Sequence, residues 1–250
     1  LAKGLELMET LASSGQPMQL ADLAKAIGLG KPSTLRLLQT LAATGFAGRG
    51  DGGEYTLNRP WVQSTTQDWL QHLMAAATPE MERLNADLAE TVSLAALFED
   101  HVRVIHVIES PRHIRMSNYR DRILPPYASS LGKAITAFQT PERMQVLLNV
   151  YGIYSFTEHT ISEPVLIREE LARVRERGYA RESEETVPGG CCFAVPIHIG
   201  GEPVRAALSV SLPAARATDS LIEMLPRLLL ESAQRVEAAL APAGKPRGKS

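Results

Sequence analysis

Arg36 and Gln39 stand three residues apart in a stretch with the spacing of an amphipathic helix. Both side chains can bond bidentately to a base edge, arginine to guanine and glutamine to adenine. Lys31 and Ser33 fall at the start of the same stretch, where an ammonium and a hydroxyl suit phosphate. Leu35 can touch a thymine methyl, Thr40 shares the outward face, and Arg49 follows in a turn-rich segment, placed for phosphate or the minor groove. The plain alternative for Arg36 and Gln39 is a solvated helix face. A second group lies in the later half of the chain. Ala128-Ser129-Ser130 opens a helical run, whose free N–H groups and hydroxyls suit an anion. Ser209 and Ser211 alternate with Leu208 and Val210, which puts both hydroxyls on one face of a strand. Cys192 begins a neighbouring strand and Glu182 ends another.

These groups have competing readings. A cysteine hydrolase needs a base beside Cys192, but the six histidines (72, 101, 106, 113, 159 and 198) form no motif, and His198 lies six residues along the same strand. A zinc sensor using Cys192, Glu182 and a histidine is the other alternative, although no spacing resembles a ligand motif. No catalytic residue, metal or cofactor is therefore expected. Alternating serines can also be the exposed face of a strand, and Cys192 an inert core residue. Cys191 is expected on the opposite face, packed. Lys133 is read as capping a helix instead of touching a ligand. Glu182, Glu184 and Glu185 read as a solvated acidic cluster, except that Glu182 is aimed inward by its strand end. No arginine or lysine is evidently placed to pair with a ligand's charge.

The elements that must position these residues follow from periodicity. Residues 2–14 read as a helix with Leu5, Met8, Leu11 and Ala12 on one face. A second helix covers 19–27, with Leu20, Leu23, Ala24 and Ile27 at i, i+3, i+4 and i+7. After Gly28-Leu29-Gly30 a third runs from Lys31 to Thr44, burying Thr34, Leu37, Leu38 and Leu41 and leaving Ser33, Leu35, Arg36, Gln39 and Thr40 outward; Pro32 is tolerated in its first turn. Two β-prone pieces around Asp51-Gly52-Gly53 predict a hairpin. Three helices and a hairpin are the order of a winged helix-turn-helix. Helices over 61–73, anchored by Trp61, Trp69 and Leu73, and over 78–90 come next. The pattern then turns to α/β. Strands are expected at 91–98, 102–109, 179–183, 192–199 and 203–211, with weaker candidates at 114–118 and 123–124. Helices are expected at 128–138, 141–150, 163–177 and 218–240, a turn at Gly200-Gly201, and a disordered tail at 242–250.

The chain has 250 residues, 44% hydrophobic and 22% charged, which is an ordinary globular composition. Only 5% are aromatic, which argues against a base-stacking RNA binder. No apolar run reaches membrane-spanning length, and no signal peptide is read. The chain opens Leu1-Ala2-Lys3, so the natural start is expected upstream. Cys191 and Cys192 are adjacent and form no disulfide framework, which fits a cytoplasmic protein. Net charge is -2, but residues 1–60 carry six Lys/Arg against five Asp/Glu. Binding to double-stranded DNA would then rest on a few aimed donors, not on a broad basic field.

Several motifs resemble the IclR family of bacterial transcriptional regulators. They are Leu20-Ala21-Asp22-Leu23-Ala24, the run Lys31 to Leu41, Gly45-Phe46 and Tyr55-Thr56-Leu57, then Pro126 through Ala134, Arg181 through Glu185 and Pro188 through Ile197. The resemblance covers about Leu1 to Ala241. It implies an α+β chain: a winged helix-turn-helix DNA-binding domain at 1–60, a linker helix at 61–77 and a GAF-like α/β effector-binding domain at 78–241. It implies Ser130, Leu131, Glu182, Cys192, Ser209 and Ser211 as effector positions, holding a small organic acid, often a carboxylate. It further implies a homodimer or homotetramer on a pseudo-palindromic operator, with no membrane partner. Two departures stand out. The family has a small hydroxyl residue where this chain has Pro32, which removes a backbone N–H, and an aliphatic one where it has Thr34.

Overall fold

A computed structural model describes residues 2–14, 16–50, 52–58, 63–199 and 203–241, of which 63–67 by backbone alone. The expectations for Trp61, the Gly200-Gly201 turn and the 242–250 tail, and the Asp51 position of the hairpin turn, lie outside these residues. The chain divides into two compact units, Leu1–Gln71 and His72–Ser250.

The N-terminal unit holds α1 (Ala2–Ser14), α2 (Leu20–Ala26) and α3 (Lys31–Ala43), then the strands β1 (Ala47–Arg49) and β2 (Tyr55–Leu57). The strands pair antiparallel, with Ala47 opposite Leu57, and Met18 adds a bridge to Tyr55. Leu7, Leu11, Leu23, Ile27, Leu38 and Tyr55 form the core. The inward face of α1 is carried by Leu7, Met8 and Leu11; Leu5, expected inside, is exposed, as is Ala12. Gly28 (φ 64°) makes the turn between α2 and α3, a left-handed position that favours glycine.

Helix α4 (Gln63–Leu88) is one continuous element where two helices were expected. The buried residues Leu73, Ala77, Met81 and Leu84 make a single stripe that runs past Pro79. Burial of that stripe outweighs the one helical hydrogen bond the proline removes.

The C-terminal unit is built on a six-stranded antiparallel sheet in the order β5-β4-β3-β8-β7-β6. Its strands are β3 (Thr91–Leu97), β4 (Val102–Ile108), β5 (Ile123–Leu124), β6 (Ala180–Ser183), β7 (Gly190–Ile197) and β8 (Ala206–Pro213). The 114–118 stretch is irregular chain instead of a strand; its backbone is held by side chains, with Thr91 Oγ1 donating to the Met116 carbonyl at 2.6 Å. Helices α5 (Ser130–Thr136), α6 (Pro141–Tyr151), α7 (Pro164–Arg177) and α8 (Asp219–Leu240) complete the unit. α5 lies against β6, β7 and β8, and α8 also packs on β7 and β8. α8 is tied to α4 by Arg235 Nε to Glu80 at 2.8 Å and Arg83 Nη2 to Ser232 Oγ at 2.9 Å. The arrangement is a GAF-like fold. Among the described residues no helix is long and apolar enough to cross a membrane.

The buried helix α5 sits where it does because Ser129 caps it, accepting from Gly132 N at 3.0 Å and donating to the Pro125 carbonyl at 2.8 Å. Gly132 touches the same carbonyl: a Cβ there would fall inside contact distance of Pro125 O and 2.9 Å from Pro126 Cα. Gly132→Ala should therefore move the start of α5 and cost about 1–3 kcal/mol. Urea denaturation of the variant checks this; an unchanged midpoint would show that the backbone yields without penalty.

Candidate functional site

In the N-terminal unit, α3 buries Thr34 and Leu38 and half-buries Leu37 and Leu41. Thr34 is tolerated inside because its hydroxyl donates to the Gly30 carbonyl at 3.1 Å, a local bond that satisfies the polar group. Lys31, Ser33, Arg36, Gln39 and Thr40 are all exposed. Among the described residues the side chains of Arg36 and Gln39 have no partner, so both forks are unengaged. The Thr40 hydroxyl donates to the Arg36 carbonyl at 3.0 Å, which leaves it acceptor capacity only. Leu35 departs from the outward expectation: it is half-buried against the core cluster, because the apolar stripe of α3 is wider than four positions. Arg49 is exposed on β1 with its guanidinium 5.7 Å from the Tyr55 ring centre. Pro32 lies in the first turn of α3, leaving one fewer N–H at that end.

In the C-terminal unit, sheet register assembles the second site. Residues directly opposite on antiparallel strands share a face. Glu182 faces Cys192, Cys192 faces Ser211, and Ser211 faces Thr91, so four strands contribute one row. The adjacent row on that face runs Ala194, Ser209, Ser93. With the start of α5 above them, these rows border a cavity of about 60 Å³. All six residues named as effector positions line it: Ser130, Leu131, Glu182, Cys192, Ser209 and Ser211. That is several times the ~10–15 Å³ a single buried water requires.

Glu182 is nearly inaccessible, and one of its oxygens, Oε1, accepts from Glu185 N at 2.7 Å, Thr186 N at 3.0 Å and Thr186 Oγ1 at 3.3 Å. The carboxylate thus shapes the turn after β6 while lining the cavity. Burial, reinforced by the neighbouring Glu182 carboxylate, pushes the Cys192 thiol well above the usual thiol range. Cys192 is therefore a protonated S–H, suited to hydrogen bonding and unsuited to attack as a thiolate. Among the described residues no group of three or more His, Cys, Asp or Glu could hold a metal ion. Cys191, paired with Ser183 and Leu212, is buried on the other face.

The cavity also contains what the sequence did not reveal. Arg122 lines it, together with Met116, Asn118, Thr186 and Val187. This corrects the expectation that no cationic side chain is placed for a ligand's charge. Arg122 arrives there because its carbonyl accepts from Val104 N at 3.0 Å, and Asp121 turns through the left-handed region (φ 69°) just before it. Neither feature has a periodicity to read. The only signal was compositional, four arginines within 112–122.

The acidic cluster is corrected too. Glu185 is buried, its Oε1 2.5 Å from Lys133 Nζ, and Lys133 is fully inaccessible. Burial raises the Glu185 pKa despite the opposing pull of Lys133. Glu184 is half-buried, and its Oε2 accepts from Gly189 N at 2.8 Å. Lys133 is thus structural, but as half of a core ion pair and not as a helix cap.

The family model described as IclR helix-turn-helix domain matches residues 1–50, and that described as bacterial transcriptional regulator IclR C-terminal matches 69–238. The chain is 32% identical to the acetate operon repressor of Salmonella typhimurium over 96% of its length and 89% of the relative's. It is 31% identical to the transcriptional repressor IclR of Escherichia coli, with the same shares covered. Among solved structures it is similar to an IclR homologue of Microbacterium hydrocarbonoxydans complexed with 4-hydroxybenzoate, at 26% identity, 96% and 98% coverage and a TM-score of 0.62.

Proposed function

Since the chain belongs to the IclR family of bacterial transcriptional regulators, a DNA-binding helix-turn-helix joined to an effector-binding domain, we propose that α3 reads operator DNA and that the cavity beside Cys192 takes a small carboxylate. The observation that carries this is the cavity itself: six positions scattered over 82 residues of sequence, from 130 to 211, line one small space with Arg122. Its lining combines a guanidinium, serine hydroxyls, a thiol and one acceptor carboxylate. That set suits an organic acid with a second polar group. The relative bound to 4-hydroxybenzoate supports the class, while a cavity of about 60 Å³ favours a smaller acid.

On the DNA side, Arg36 and Gln39 contact base edges, Lys31, Ser33 and Arg49 contact phosphate, and Leu35 and Thr40 add contacts at the margins. A dimer, or a pair of dimers, places two α3 helices on half-sites about 34–36 Å apart. The effector acts by binding two arrangements of the regulator with unequal affinity.

A thermal-shift screen of two- to four-carbon acids, with hits retested for operator affinity, tests this reading. A stabilising acid that also changes DNA affinity supports it. Absence of stabilisation by any acid of this size counts against the cavity as an effector site. Arg36→Ala should weaken operator binding by about 1–3 kcal/mol and relax preference at one base position. Titration against a base-substituted operator series measures both; unchanged affinity and preference would remove Arg36 from the readout.

A further inference from the structure

Residues 110–119 cross the edge of the cavity as a strap without regular secondary structure, and Met116, Ser117 and Asn118 of this strap form part of the cavity wall. Its fastenings converge. Ser110 Oγ donates to the Ala89 carbonyl at 2.6 Å and Arg112 Nε to the same oxygen at 3.2 Å. Thr91 Oγ1 donates to the Met116 carbonyl, and Asn118 Nδ2 donates to Ser93 Oγ at 3.0 Å. Every one of these partners lies within 89–93, the short piece of chain between the end of α4 and the first residues of β3.

At the middle of that piece is Glu90, only 3% exposed. Its two oxygens accept from Arg216 Nε at 2.6 Å and Nη2 at 2.7 Å, a bidentate pair. The remaining nitrogen, Arg216 Nη1, donates to the strap carbonyl of Ile114 at 3.0 Å. Arg112 adds a second guanidinium 3.8 Å from Glu90. One side chain thus holds the cavity strap and the exit of α4 at once. Ala89 sits in the left-handed region (φ 55°) while its N–H closes the last turn of α4 on the Asn85 carbonyl at 2.8 Å. A non-glycine residue in that conformation is kept there by its surroundings, so the helix end is sensitive to what its fastenings do.

We propose that Glu90 and Arg216 are positioning residues of the effector response, coupling the strap wall of the cavity to the C-terminal end of α4. The proposal rests on reading the cavity as the effector site, and adds the route by which its occupancy is passed on. A change in the wall at Met116 shifts the Ile114 carbonyl, and Arg216 delivers that shift to Glu90 and the last turn of α4. α4 begins at Gln63, and its last turn is one place, beside the α8 contacts at Glu80 and Arg83, where the C-terminal unit holds that helix.

The test is a double-mutant cycle read by amide hydrogen exchange in the full chain, needing no ligand. Met116→Ala perturbs the wall while leaving the backbone bond to Thr91 available. The expected result is about tenfold faster exchange of the amides of 85–89 on Met116→Ala in the wild-type background, and less than twofold in an Arg216→Met background. Equal effects in the two backgrounds, or no effect in the wild type, overturn the proposal. A merely structural Arg216 would raise exchange by itself without removing the response to Met116→Ala. If Arg216→Met does not fold, Arg216→Lys keeps a charge on Glu90 but loses the fork, and is read the same way, with a reduced response expected and an undiminished one overturning the route. A null cycle leaves the acid screen untouched, so failure of the route and failure of the cavity reading remain separate results.

Discussion

Lys133→Met is expected to destabilise the C-terminal unit by about 3–5 kcal/mol, because it leaves the Glu185 carboxylate buried without a counter-charge. Lys133 is fully inaccessible, Glu185 is nearly so, and the second carboxylate oxygen, Oε2, has no partner even in the intact pair. Among the described residues Lys133 is the one cation paired with Glu185, and its Nζ also donates to the Arg181 carbonyl at 3.4 Å. The loss should depend on pH. Burial already raises the Glu185 pKa with Lys133 present, and removing Lys133 raises it further. A carboxyl raised by folding contributes stability that is fully present below its unfolded value, ~4.3, and lost as pH rises through the folded value. The variant should therefore be least stable near pH 8 and recover toward pH 5. Urea midpoints across that range measure it. The double change Lys133→Met with Glu185→Leu should restore most of the stability, as replacement of a buried pair by apolar residues often does. A pH-independent loss, or one under about 1 kcal/mol, would show that the pair is not closed in solution.

Arg122→Met is expected to weaken binding of the acid identified by screening by about 2 kcal/mol or more, roughly thirtyfold, while leaving the fold intact. Arg122 is half-exposed at the cavity, its guanidinium stands 5.9 Å from the Tyr119 ring centre, and among the described residues no carboxylate pairs with it. Arg122→Lys should recover part of the affinity, since lysine restores the charge but not the planar fork. An uncharged amide analogue of the same acid should bind wild type and Arg122→Met alike. Calorimetry on the four combinations separates charge pairing from shape. Full carboxylate affinity in Arg122→Met would move the charge partner elsewhere, to the hydroxyls and N–H groups at the start of α5.

The sequence by itself determined the family, the class of most elements and six of the residues that line the cavity. Those are local properties. The i, i+3, i+4, i+7 spacing of α2 and α3, the alternation around Ser209 and Ser211 and the Gly-rich turns are each visible within a dozen residues. Local spacing also erred in local ways. It ended a helix ahead of Pro79, because it could not know that Leu73, Ala77, Met81 and Leu84 bury one continuous stripe. It faced Leu35 outward, because half-burial depends on what α3 packs against.

Tertiary structure alone decided the electrostatics. Whether Glu185 is solvated or buried depends on a lysine 52 residues earlier, and whether a cation reaches the cavity depends on an irregular segment held by single hydrogen bonds to β3 and β4. Charge in a protein takes its energy from distance and burial, and neither quantity has a period in sequence.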